Sequence, residues 1–187
     1  MHDLKPTTAL GGAAPQVDTI GALTITENAG VSLASVAARL GGEAKTAQVL
    51  KKLLGDVPGP GRAQLHDPEA GFWMGPNQWM IGAPMDTHEL LADQLKSKLG
   101  DAASVTEQSG AWVVFDLVGA NMVDALERLC SAPVRRMVAG DAQRTTIHHL
   151  SCFVIRRDAE DHMRIIGPRA SAGSLHHALV GAAKSVA

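Results

Sequence analysis

The sequence predicts an α+β fold: an antiparallel sheet with helices packed on one face, plus a small N-terminal extension. Three observations carry this. From residue 71 onward strand-like and helix-like apolar patterns alternate, yet the strands come as hairpins, which suits antiparallel pairing. Gly-Pro-Asn-Gln at 75–78 sits between two apolar triplets, a hairpin signal. The stretch after Ser171 keeps helical apolar spacing to its end.

Taken in order, residues 1–19 are rich in Gly, Pro, Ala and Thr without an apolar period and read as a flexible arm. Residues 20–187 read as a single α+β domain. Ile20–Thr26 is a short strand. Leu33–Leu40 and Ala47–Leu54 read as short helices closed by Gly41 and Gly55. Pro58-Gly59-Pro60-Gly61 breaks the chain and marks a candidate sub-boundary.

Phe72, Trp73 and Trp79 flank the hairpin turn, where Pro76 suits the first central position and Asn77 the second. Asp86 and Glu89 have capping-box spacing before a helix with Leu91, Leu95 and Leu99 on one face. Lys96 and Lys98 fall in its last turn, where the helix dipole favours cations. Trp112–Val118 is an apolar strand. Asn121 opens a helix with Met122, Ala125, Leu126, Leu129 and Cys130, ended by Pro133. Arg144–Ile155 reads as one long strand, Arg156–Asp161 as a charged turn, and His162–Ile166 as the returning strand. Ser171 caps the last helix, whose face is Leu175, Ala178, Leu179, Ala182, Ala183 and Val186.

Composition narrows the function. The net charge of −2 offers no basic stripe for nucleic acid. The uncharged stretch Ala70–Met85 is interrupted by Gly75, Pro76, Asn77 and Gln78, which argues against a membrane helix. The N-terminus shows no basic region followed by an apolar run, so the expectation is a cytoplasmic protein. Cys130 and Cys152 have no zinc spacing and read as free thiols.

Catalytic motifs are missing from the sequence. There is no dinucleotide fingerprint, phosphate loop, nucleophile elbow or HExxH. The expectation is no catalytic, cofactor-binding or metal residue on this chain. Of the eight histidines, His148 and His149 lie in a predicted strand and would diverge; His176 and His177 are adjacent on a helix and diverge by about 100°. His162 could approach His148 or His149 across the hairpin. Asp158, Glu160 and Asp161 read as a solvated hairpin tip beside Arg156 and Arg157. Phe72, Trp73, Pro76, Asn77 and Trp79 are left as interface or structural residues, since aromatics flanking a turn are core or interface anchors more often than a ligand box.

Those hairpin residues also carry a resemblance. Gly75-Pro76-Asn77-Gln78-Trp79-Met80-Ile81 resembles a signature of the gamma subunits of heterotetrameric sarcosine oxidase. Leu117-Val118-Gly119 running into Val123-Asp124-Ala125-Leu126 resembles the family's L-x-G-P-x-A-R-x-x-L segment, and Arg169–Leu175 resembles its R-S-x-A-x-x-L helix start. Ala120, Met122 and Val123 depart from the pattern. The resemblance covers about residues 20–185. It implies a ferredoxin-like, aminomethyltransferase-like arrangement and a non-catalytic subunit. Its partners would be large alpha and beta subunits bearing FAD, FMN and NAD, and a small zinc-bearing delta subunit. Residues 1–19 lack the apolar content to order alone, so the arm is expected to lie across a neighbouring subunit. The assembly would demethylate sarcosine oxidatively to glycine and hydrogen peroxide, passing the one-carbon unit to tetrahydrofolate or releasing formaldehyde. The corresponding subunit of an N-methylglutamate dehydrogenase and a stand-alone folate-binding protein are the alternatives.

Overall fold

A computed structural model describes residues 5–66, 68–157 and 161–187. In the first part of the chain lie β1 (Val17–Ile20), β2 (Leu23–Glu27), β3 (Val31–Ala38), α1 (Glu43–Leu54), β4 (Ala63–Gln64), β5 (Ala70–Gly75), β6 (Gln78–Pro84) and α2 (Leu91–Leu99). Then follow β7 (Ala103–Glu107), β8 (Trp112–Gly119), α3 (Met122–Glu127), β9 (Ala142–Ile147), β10 (Leu150–Arg156), β11 (His162–Pro168) and α4 (Ala172–Val186). The result is α+β, with two antiparallel sheets and four helices among the described residues.

The chain divides into two compact units. The first comprises the residues up to Ala29 with Ala111–Ala139 and Arg144–Ala187; the second is Gly30–Gly110 with Gly140–Gln143. Pro58–Gly61 is therefore no linker but lies inside the second unit, where the Pro58 carbonyl accepts the Trp79 indole N–H at 2.9 Å.

The first unit rests on a six-stranded sheet ordered β1-β2-β8-β11-β10-β9. Alternate residues on one face are buried: Leu23 and Ile25 on β2, Val113, Phe115 and Leu117 on β8, Met163 and Ile165 on β11. They share a core with Met122, Ala125 and Leu126 of α3 and with Leu175, Leu179, Ala182 and Ala183 of α4. Ser171 does sit at the start of α4, but its side chain makes no capping hydrogen bond.

The second unit has a five-stranded sheet ordered β4-β5-β6-β3-β7. Its core joins Leu50 and Leu54 of α1 and Leu91, Leu95 and Leu99 of α2 to Ala34, Val36, Trp79, Ile81 and Ala83 on the sheet. Gly71 packs closely here: a Cβ at this position would meet Leu54 Cδ1 at 2.7 Å and Ile81 Cδ1 at 3.0 Å, so the tips of these two side chains would have to shift.

Several local expectations change. Leu33–Leu40 is not a helix; β3 runs through it as a central strand between β6 and β7. Ser32, Leu33, Ala34 and Val36 are all buried, so both faces are covered and no strand alternation remains to be read. Ile20–Thr26 is not one strand but part of a hairpin, β1 to β2, turning at Gly21 with φ 57°. The arm assigned to residues 1–19 therefore contains most of β1. Its earlier described part is tied to its own unit: the buried Glu27 carboxylate accepts the backbone N–H of Leu10 at 2.9 Å and of Gln16 at 3.1 Å, and Ala9 and Leu10 pack against the core. Asp86 opens no helix. α2 starts only at Leu91, and its N-terminal residue Leu90 has no side-chain cap.

Arg144–Ile155 splits into β9 and β10 at His148-His149, both with positive φ (48° and 69°). An L-residue in that left-handed region costs roughly 1–2 kcal/mol. Of the expected charged tip, Asp158 and Glu160 lie outside the described residues.

Candidate functional site

The residues singled out at the 70–84 hairpin fall where the turn chemistry requires. Asn77 has φ 56°, a conformation asparagine tolerates, and its backbone carbonyl accepts the Ala38 N–H at 2.9 Å. Pro76 and Asn77 are exposed. Trp73 and Trp79 are directly opposed across β5 and β6, so they share the helix-covered face. Phe72 is opposite Met80 on the other face. Phe72 and Trp79 are buried and Trp73 half-buried, so the chain itself covers most of this aromatic group.

A four-residue polar constellation that no sequence motif marks is built around Asp116. Asp116, on β8 in the first unit, points away from the helix-covered face and is buried. It stands opposite Arg164 of β11 and Thr26 of β2. Arg164 donates to both carboxylate oxygens, from Nε at 2.8 Å and Nη2 at 2.9 Å. His162 Nε2 donates to Oδ1 at 3.0 Å, and Asn28 Nδ2 donates to Oδ2 at 2.7 Å. Burial alone would raise the Asp116 pKa, but these hydrogen bonds and the Arg164 charge outweigh it and hold the carboxyl well below its ordinary range. The signal in the sequence was the lone acid in an apolar strand run, which needs a partner once buried.

Chemically, this arrangement fixes an anion rather than activating one. A carboxylate accepting from a bidentate guanidinium, an imidazole and an amide has its lone pairs occupied. His162 is thus directed at Asp116 and not at His148 or His149.

A second acid–imidazole contact joins β1 to α4: His176 Nε2 lies 2.8 Å from Asp18 Oδ2, and its ring stacks on Phe115 at 5.8 Å. Hydrogen bonding from His176 lowers the Asp18 pKa. The cysteines are free thiols. Burial raises both, Cys152 to about 11, which keeps them protonated and poorly nucleophilic. Among the described residues no group of three or more His, Cys, Asp or Glu could hold a metal ion. No described helix is long and apolar enough to cross a membrane.

No protein-family model and no curated protein matches this sequence. Solved structures do match. One is a chain of the heterotetrameric sarcosine oxidase from Corynebacterium sp. U-96, in a complex with pyrrole 2-carboxylate. The TM-score is 0.77 at 23% identity, over 91% of this chain and 88% of that one. Another is the glycine cleavage system aminomethyltransferase T from Bartonella henselae, with a TM-score of 0.63 at 15% identity. That match covers 83% of this chain but only 44% of the aminomethyltransferase, so the present chain spans less than half of that enzyme. The protein therefore has the fold of a heterotetrameric sarcosine oxidase chain, related to the aminomethyltransferase fold.

Proposed function

We propose that this chain is a non-catalytic, gamma-type subunit of a heterotetrameric sarcosine oxidase-like complex. The observation that carries the reading is reciprocal coverage: 91% of this chain and 88% of the sarcosine oxidase chain correspond, whereas an aminomethyltransferase is matched over 44% of its length. A chain of matching extent is suited to the same place in an assembly. The saturated Asp116 cluster supports a structural role, since its lone pairs are engaged within the fold.

In this reading the flavins and nicotinamide belong to large alpha and beta subunits and zinc to a small delta subunit. Together they demethylate sarcosine to glycine, with one-carbon transfer to tetrahydrofolate or release of formaldehyde, and form hydrogen peroxide. Tagged chain purified from its native source, followed by mass spectrometry of co-eluting proteins, tests this. Flavin-bearing large subunits and sarcosine-dependent peroxide formation are expected in the eluate; a chain eluting alone would defeat the proposal. Turnover of N-methylglutamate instead of sarcosine would assign the complex to the related dehydrogenases.

A further inference from the structure

The β9–β10 turn places two imidazoles together at one exposed tip. In a strand, successive side chains point to opposite faces, which is why His148 and His149 offered no chelate while read as strand residues. As turn residues they are neighbours: their ring centroids lie 5.7 Å apart with an interplanar angle of 50°, and both residues are exposed. Their φ values of 48° and 69° belong to the conformation that Asn-Gly satisfies in two-residue hairpins. Exposed histidines add little packing to offset that conformation. On the same hairpin, Arg144 Nε donates to Ser151 Oγ at 3.0 Å and its guanidinium lies over the Phe153 ring.

We propose that His148 and His149 form a two-imidazole site for a divalent first-row transition ion, copper(II) or zinc(II). Imidazole nitrogen suits both ions, and copper(II) binds such donors more strongly. No cluster of three or more ligand side chains exists among the described residues, so the remaining coordination positions belong to water or to a ligand from another molecule. The ion is exchangeable, unlike the closed four-ligand sites of structural zinc. This site is independent of the subunit assignment above.

Titration of the full chain with copper(II) chloride, and separately with zinc(II) sulfate, tests it by calorimetry. The titrations are run in a His2→Asn background, so that this histidine contributes no imidazole. One ion per chain is expected. His148→Asn and His149→Gly should each weaken binding at least about tenfold, the scale on which even ligand-supporting groups act. The double variant should lose the ion yet melt at a higher temperature, because Asn-Gly suits the turn, so lost binding is not lost fold. Copper(II) electron paramagnetic resonance should report nitrogen coordination that disappears in the double variant. His66→Asn and His177→Asn, both at exposed positions, should leave binding unchanged. Retention of the ion by the double variant, absence of binding in the parent, or equal losses in the His66 and His177 controls would each overturn the site.

Discussion

Asp116 shows how a single buried charge constrains the chain around it. Its carboxylate joins residues 28, 116, 162 and 164, which are far apart in sequence and meet on two neighbouring strands, β8 and β11, and at the residue that follows β2. Removing one side of such a pair leaves the other charge buried and uncompensated, so Asp116→Asn should cost about 2–3 kcal/mol at neutral pH. The sign of the pH dependence follows from the depressed folded-state pKa. The stabilisation is complete above the ordinary aspartate value of 3.8 and is lost as pH falls through the lower folded-state value. Urea unfolding of both proteins should therefore show a gap near neutrality that narrows in acid below that value. A gap of constant size would contradict the ionised cluster. Asn77 was readable at this scale because one residue type in one turn position carries the information; Asp116 was not, because its partners are set by strand register.

At the scale of elements, the segment before β1 behaves as a strap of the first unit. Glu27, on β2, is 2% exposed and accepts two backbone N–H groups from it, while Arg169 Nη2 donates to the Thr7 carbonyl at 3.2 Å. Low apolar content suggested an arm ordered only by another molecule, yet a buried carboxylate can order backbone without apolar side chains. Glu27→Ala should leave the Leu10 and Gln16 amides without their acceptor and cost about 1–3 kcal/mol. Hydrogen exchange at those two amides should accelerate well before the β8 and β11 amides respond. Unchanged protection there would mean that the carboxylate does not hold the strap. α2 and α4 were legible as amphipathic helices, although α2 begins later than Asp86 because the intervening residues form turns.

For the molecule as a whole, two cores replace the one expected. Each sheet buries its own helices, and the chain passes between the units at Ala29–Gly30, Gly110–Ala111, Ala139–Gly140 and Gln143–Arg144, none of which is marked by the Pro-Gly run at 58–61. The proposed structural role also makes a prediction for the intact chain. Under this reading the chain alone is expected not to bind folate. Titrating the full chain with tetrahydrofolate while following tryptophan fluorescence, corrected for inner-filter absorption, should give no saturable change. Saturable quenching at one equivalent would instead favour a stand-alone folate-binding protein.

What the sequence determined by itself was the α+β class, the 70–84 hairpin, the apolar strand β8 and the buried faces of α2 and α4. Each is written within a short window as turn chemistry or apolar period, and local sterics enforce it. Tertiary structure alone decided that β3 is a strand, that the chain forms two units, that Asp116 gathers its partners, and that His148 and His149 turn rather than extend. Burial on both faces erases the period of β3, and strand pairing at long sequence separation selects the register that creates the Asp116 cluster. The same pairing of β9 with β10 forces the chain to reverse at residues whose own preferences do not ask for it.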